Sequence, residues 1–511
     1  MRHLQKIVCA VVLVATVLPA FADTKPVPVP PKGPSVFVQC DGSPNKASVL
    51  GTAARIVAIT AVIGLLLPEG EAPDVTKRLK GKDGINACNE ALDGAKPASD
   101  GGRRIELILA RAIHHIEAGE FDAAIADAHF AGKDQPALAE TQAYKQSLGL
   151  TALEIEAKAL VGLGNLGDAS AKGQEMANAA PYDVINMIHA LQFVRLVKSY
   201  DMAKGVFYDQ LVRMRPNSLS DRARARDLAG DFLGAADDYF AQAKLHKSVP
   251  EFPAQFFLSQ AAVEYRLAGK IDHAEALIKE ARDNNEADRT AGTNAATTTA
   301  TSEVLDLYIV LTTNAKGDAA RARILFAGRS DWVWPSTGAV AETSRILRSA
   351  ATPQDIAAIP FPDPDAIWSN FLTRAVRVIA DGGKDGIDRY QSFRDAFSAT
   401  QFGSFANNVW KTDKSRYFSK EDSKDYKARL IDTERNGTGM PSAYALFLHT
   451  ALVAKAQGKQ GFTLLPSQKY VYSTYVRIGN PGDDGIIAPI LFNADKVIAD
   501  LSPLIPQPVK K

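Results

Sequence analysis

The apolar and polar positions of this chain follow two grammars. From about residue 101 to residue 345 it is rich in Ala, Leu, Arg and Asp, with almost no β-branched runs, which predicts helices. A Gly-polar-apolar triplet recurs there, followed three residues later by Ala. The clear copies are Gly119-Glu120-Phe121 with Ala124, Gly230-Asp231-Phe232 with Ala235, and Gly269-Lys270-Ile271 with Ala274. Weaker ones are Gly164-Asn165-Leu166 with Ala169, Lys198-Ser199-Tyr200 with Ala203, and Gly317-Asp318. The gaps between successive copies are 45, 34, 32, 39 and 48 residues.

The second grammar starts at about Thr352. Pro360, Pro362 and Pro364 mark a linker, and aromatics then rise from Tyr390 through Phe393, Phe402, Phe405, Trp410, Tyr417 and Phe418. Residues 426–432 alternate and read as a strand, and Asn436-Gly437-Thr438-Gly439 as a turn. A helix follows, with Pro441 in its first turn, Gly458 as its stop, and Tyr444, Phe447, Leu448, Ala451 and Leu452 on one apolar face. Residues 461–465 and 470–478 read as further strands.

The first pattern resembles the tetratricopeptide repeat, in which antiparallel helix pairs stack. Around Gly269, Leu258, Ala261, Ala262 and Tyr265 stand at that family's apolar, small and aromatic positions on the first helix. Ala274, Ile278 and Ala281 stand at those of the second, and Leu219, Ala223, Phe232, Ala235 and Tyr239 fill the preceding repeat. The Pro usual near the repeat end is mostly missing, with Pro216 the nearest, and the irregular gaps imply longer loops. The resemblance implies a mainly α fold: an α-solenoid of helical hairpins with a small α+β C-terminal domain. It also implies a concave wall lined from first-helix positions, here Lys158, Gln192, Arg195, Arg224 and Arg266, with Asp227 beside them. Arginines there suit peptide carboxylates. Arg222, Arg224 and Arg226 alternate, so the three do not share one helix face. The Thr-rich stretch 287–302 reads as a loop inserted between repeats. At the C-terminus, strand–helix–strand order with Ala454-Lys455-Ala456-Gln457-Gly458-x-x-Gly461-Phe462 resembles a small domain of bacterial cell-envelope lipoproteins.

The N-terminus reads as an address. Arg2, His3 and Lys6 precede the apolar run 7–18 and the cleavage site Ala20-Phe21-Ala22, the order of a secretory signal peptide. Cleavage there removes Cys9 and leaves Cys40 and Cys88, an even pair that reads as one disulfide in an oxidising compartment. Closing that loop contributes about 4 kcal/mol in the chain-entropy description. A Pro-rich leader spans 23–36, and the apolar run 49–68, with Arg55 inside it, reads as a buried helix rather than a membrane span. The expected organisation is therefore signal peptide 1–22, leader and disulfide-stapled cap 23–100, helical repeats 101–350 and an α+β domain 351–511.

Charge and motifs narrow the chemistry. With 59 Lys and Arg against 58 Asp and Glu, the chain lacks the basic excess of a duplex-DNA binder. Gly162-Leu-Gly164-Asn-Leu-Gly167 matches the dinucleotide-binding spelling but follows a helix where that motif needs a strand. Ser43-Pro-Asn-Lys46 matches Ser-x-x-Lys, yet no Lys-Thr-Gly follows. His114 and His115 point to different helix faces. His115 falls at the repeat's aromatic position and is expected in the core, and no metal spacing accompanies the pair or His129. No cofactor, metal or catalytic residue is assigned. The expectation is a periplasmic scaffold that binds an envelope protein or peptide and keeps no membrane span after signal cleavage. A wall-hydrolase-type enzyme with its site in the C-terminal domain is the alternative.

Overall fold

The computed structural model of the chain describes residues 33–46, 72–247, 253–329, 331–381, 390, 409–412, 418–423, 428–432, 440–465, 473–483, 486, 490–505 and 507. The segment 1–22 expected to be a signal peptide, most of the Pro-rich leader, the apolar run 49–68, the turn expected at 436–439, residues 470–472 and most of the aromatic stretch lie outside these residues.

The described chain is mainly helical, with one small antiparallel sheet towards its C-terminus. Helices α1 (Val36–Asp41) and α2 (Gly81–Asp93) open it. Helices then follow in pairs: α3 (Gly101–Glu117) with α4 (Phe121–Asp134), α5 (Leu148–Gly162) with α6 (Leu166–Ala179), and α7 (Val184–Val194) with α8 (Met202–Met214). The later pairs are α9 (Leu219–Leu228) with α10 (Phe232–Lys247), α11 (Gln255–Leu267) with α12 (Ile271–Ala291), and α13 (Ala295–Ala315) with α14 (Ala319–Ala327). Each helix packs on the next, both within a pair and from the second helix of one pair to the first of the following pair. Short helical turns at Pro136–Ala139, Gln142–Lys145 and Pro216–Ser218 lengthen two of the links, which accounts for part of the uneven spacing.

The turn chemistry explains the pairing. Gly119, Gly164, Gly230, Gly269 and Gly317 all adopt left-handed φ, between 75° and 89°. A Cβ on any of them would meet nothing within 4 Å, so the backbone sign alone calls for glycine. Each helix entering after such a turn buries its small residue: Ala124, Ala169, Ala235, Ala274 and Ala322 are all 0% exposed. The glycine spelling at 162–167 is therefore a helix–turn–helix link between α5 and α6.

Two expectations fail here. Ala203 is exposed, because Asp201 caps α8 by accepting from Lys204 N at 2.9 Å, so the helix starts two residues later than in the glycine copies. Lys204 is buried instead, and its Nζ donates to Val197 O and Ser199 O at 2.9 and 2.8 Å. The stretch 287–302 is not a loop. α12 runs to Ala291, α13 begins at Ala295, and only Gly292-Thr293-Asn294 turns between them. Asp288 holds that turn, accepting from Thr293 Oγ1 and Asn294 Nδ2 at 2.9 Å each. Thr298 and Thr299 return their hydroxyls to carbonyls four residues back, and Ala300, Thr301 and Val304 are buried.

Helices α15 (Thr337–Ser349) and α16 (Pro364–Asp381) fold back on the pairs. α15 packs on α9, α11, α13 and α14, and α16 packs on α15 and α5. The prolines between them are tied down: Phe361 is buried, and Pro362 O accepts from Ser344 Oγ at 2.7 Å.

At the N-terminus the Cys40–Cys88 disulfide joins α1 to α2 across a Cα separation of 4.7 Å. Beside it, Arg103 grips Asp41 through two guanidinium nitrogens, reaches Glu106 at 3.0 Å and donates to Ser43 O at 2.9 Å. Burial works against the Arg103 charge, but Asp41, Tyr390 and Glu106 outweigh it and hold its pKa raised. Tyr390 closes this cluster by donating to Glu106 O at 2.9 Å. His114, not His115, is the core histidine, at 0% exposure, with Nε2 donating to Cys40 O at 2.7 Å. His115 lies on the neighbouring face, 2.8 Å from Glu120.

The C-terminal sheet comprises β1 (Phe418–Ser423), β2 (Ala428–Asp432), β3 (Gly461–Leu465), β4 (Ser473–Gly479) and β5 (Phe492–Asn493), in the order β1-β2-β4-β3-β5. Every neighbour is antiparallel, and the β3–β4 hairpin sets Gly461 opposite Gly479 and Leu465 opposite Tyr475. α17 (Met440–Ala456) was expected to show one apolar face, but residues 444–451 are buried on every side. It is enclosed by β3 and α18 (Ala494–Leu501) together with Leu150, Tyr182 and Met214 from the helical pairs. Tyr182 OH donates to Asp500 at 2.6 Å across the same junction.

Ala274→Leu is expected to overpack the α11–α12 crossing and cost about 1–3 kcal/mol. The exposed Lys270→Ala in the same turn is expected to stay within about 0.5 kcal/mol, both by urea unfolding. Cys40 and Cys88 are expected to resist alkylation in the denatured, unreduced chain and to label after reduction, read by peptide mass spectrometry.

Candidate functional site

Polar side chains form a seam across the first helices of four successive pairs. On α5, Lys158 Nζ lies 2.9 Å from Glu154, one helical turn earlier, and the other Glu154 oxygen lies 3.5 Å from His189 Nδ1 on α7. His189, Gln192 and Arg195 follow at three-residue spacing, which puts them on one side of that helix. Arg195, just past the end of α7, is half-buried, and its guanidinium makes no hydrogen bond or ion pair among the described residues. Burial lowers its pKa, and Arg224 on α9 pushes the same way against the pull of Asp221. Arg224 keeps 51% of its side chain open to solvent, and its only ion pair among the described residues is a long one, 3.8 Å to Asp221. It also lies against the Tyr239 phenol and Asp227, whose pull outweighs burial.

The other arginines of this segment are spoken for. Arg222 holds Asp238 through two nitrogens at 2.9 and 2.6 Å and Asp209 at 2.6 Å. Arg226, one turn along, reaches Asp238 at 3.0 Å. Arg222 and Arg226 therefore share the face opposite Arg224, as the alternation predicted.

Asp227 and Glu264 meet at the end of the seam, 1% and 0% exposed. Burial pushes both carboxyls up, and their mutual repulsion adds to the effect on Glu264. Two carboxyls in contact cannot both ionise cheaply, so the pair keeps one proton. Asp227 has the better claim to the charge: it accepts from Gly338 N at 2.6 Å at the start of α15 and lies near Arg224. Glu264 is the carboxyl on which burial and the neighbouring Asp227 both favour the protonated form. Ser336 Oγ is 2.6 Å from Tyr239 OH, completing the buried end. Gly338 admits the contact, since a Cβ there would stand 2.5 Å from the Asp227 backbone oxygen.

The structure thus brings Lys158, Gln192, Arg195 and Arg224 onto one seam. Asp227 closes it from inside, out of a ligand's reach. Arg266 is not on it: it lies two residues, and so about 200°, around the helix from Glu264. Its guanidinium sits over the Tyr308 ring at 5.3 Å. Sequence reading missed Glu154, His189, Tyr239 and Ser336. The spacings Glu154–Lys158 and His189–Gln192–Arg195 carried a signal for two of them, and nothing local pointed to Ser336.

In the C-terminal region, His449 is buried and its Nδ1 donates to Val409 O at 2.8 Å, while burial lowers its pKa. Ser43 is buried and engages Asp41 and Arg103 through its backbone, with Lys46 at the surface. Among the described residues no group of three or more His, Cys, Asp or Glu is placed to hold a metal ion. Comparison with family models, with curated proteins and with solved structures finds no match to this chain.

The carboxyl pair has a pH signature. Its proton is held in the folded chain above the pH, about 4, at which unfolded carboxyls lose theirs. Unfolding then releases a proton, so this contribution to stability falls as pH rises and is lost once pH passes the raised folded pKa. Glu264→Gln keeps a donor towards Asp227 without a titrating group. It is expected to flatten the fall in melting temperature between about pH 5 and about pH 9, and parallel profiles for the two proteins would contradict the shared proton.

Proposed function

We propose that this protein is an exported, periplasmic scaffold of tetratricopeptide-like repeats that binds an envelope protein or peptide. Its seam of Lys158, Gln192, Arg195 and Arg224 receives an acidic segment or a C-terminal carboxylate. The supporting observation is the contrast among neighbouring arginines: Arg222 and Arg226 are closely paired with Asp238, while among the described residues the Arg195 guanidinium has no close acid and Arg224 is half-open with its nearest ion pair at 3.8 Å. Guanidinium groups that the fold leaves without close partners suit a carboxylate brought by a ligand. The disulfide fits an oxidising compartment, and no described helix is long and apolar enough to cross a membrane.

The mechanism is geometric. Paired helices hold the seam residues in place before a partner arrives, so binding spends little on ordering the receptor. Arg224→Ala, alone or with Arg195→Ala, is expected to reduce crosslinked capture of the partner from intact cells. Arg224→Ala also takes a cation away from buried Asp227, so capture is compared at equal amounts of folded protein, set by urea unfolding of each variant. Capture is also expected to weaken as salt rises, since exposed charges are screened within about 8 Å at physiological ionic strength. Undiminished capture of the same partner by the double variant would place the binding site elsewhere.

A further inference from the structure

The start of α15 is capped from another helix. Ser336 stands at its N-cap position but makes no capping bond, because its hydroxyl is taken by Tyr239 OH at 2.6 Å. Asp227 on α9 fills the role instead, accepting from Gly338 N, the second residue of the helix, at 2.6 Å. The approach to the helix is held in the same manner. Glu303 on α13 accepts from Val333 N and Trp334 N at 2.6 and 3.0 Å, and Gln260 on α11 donates to Trp334 O at 2.8 Å. Val333 and Trp334 turn their side chains to solvent, so polar clasps do most of the holding there. Further along, Val340, Thr343 and Leu347 are buried and fix the body of the helix. Gly338 weakens the first turn relative to that body.

The two carboxyls beneath this turn are served unequally. Asp227 has Gly338 N and the Arg224 cation. Both oxygens of Glu264 are buried, and among the described residues no N–H donates to either. A second charge on the pair is therefore a buried charge without a donor, which a fold tolerates poorly. The packed neighbours offer no relief. α10 brings only the Tyr239 phenol, and Asp209 of α8 is taken by Arg222. Glu303 of α13 is engaged on the approach, and Arg266 of α11 lies over Tyr308. Glu342 and Arg345 of α15 pair with each other, and the charged residues in the first two turns of α12 are exposed.

We propose that the first turn of α15 is a proton-held latch: with one proton between Asp227 and Glu264 the segment 333–339 stays seated, and loss of that proton lifts it so that water reaches both carboxylates. The lifted state also bares two acids beside Arg224, which turns an acidic ligand away from the seam. That consequence rests on the binding reading, whereas the latch itself does not.

Hydrogen exchange read by mass spectrometry on the unaltered full chain tests the latch, with peptides covering 333–343 and, for reference, 255–267 of α11. The seated state holds a proton that the lifted state releases, so seating weakens as pH rises, by up to about ten-fold per pH unit. After correction for intrinsic exchange, protection of 333–343 is expected to fall about ten-fold or more between about pH 6 and about pH 9 while that of α11 holds. Equal loss in both peptides is global unfolding and overturns the latch, as does constant protection of 333–343. A full-length Glu264→Gln variant is expected to keep 333–343 protected throughout, and the same fall in that variant overturns the assignment to this carboxyl pair. The unaltered chain decides the matter even where the variant does not fold. No partner and no seam arginine enters the readout, so the latch and the binding function can fail separately.

Discussion

A pair of antiparallel helices exposes more apolar surface than the two can hide from each other, and the rest of this fold follows from that surplus. Alanines at the crossings, 0% exposed from Ala124 to Ala322, let backbones approach closely, which flattens each pair and leaves a broad face for the next. The chain spends six pairs passing that face along. The last open surfaces are covered by its own later segments: α15 over α9 to α14, α16 on α5, and the C-terminal sheet domain against Leu150, Tyr182 and Met214. The helix α17, enclosed by the sheet on one side and by the pairs on the other, shows how fully the two parts share one interior.

What could be read in the sequence was what depends on near neighbours. A left-handed turn demands glycine and a close crossing demands alanine, so Gly269 with Ala274 announced a hairpin without any knowledge of its surroundings. Cys40 and Cys88, the two cysteines beyond the N-terminal apolar run, announced their pairing in the same way. The failures came where tertiary contact overrode local composition. The Ala-Thr run after Gly292 reads as loop, yet Thr301 and Val304 find a core to enter and the helix forms. Ala203 reads as a crossing residue, yet Lys204 takes the inner place and is satisfied there by two carbonyls. His114 rather than His115 faces inward because α1, stapled by Cys40, presents its carbonyl on that side.

The same division runs through the candidate site. Arg195 and Arg224 were legible as first-helix cations, and the alternation of 222, 224 and 226 already separated the paired faces. The closure of the seam was not legible, because it joins Asp227 to Gly338, 111 residues further on. Nothing near Asp227 in the chain indicates that a helix start will arrive to take its charge. Nor could Arg266 be excluded without Tyr308 in view, since the ring that captures it sits on the following pair.

Tyr390 has a consequence for the order in which the molecule comes together. Its hydroxyl reaches Asp41 and Glu106, partners 349 and 284 positions away, inside the cluster that also holds Arg103. Closing so long a loop is slow compared with zipping adjacent helix pairs, whose contacts are all short in sequence. The pairs can therefore assemble progressively as the chain becomes available, while the first domain to emerge is among the last to be finished. Until residue 390 arrives, Asp41 and Arg103 lack the Tyr390 hydroxyl, so the amino-terminal cap is completed only once about three-quarters of the chain is available.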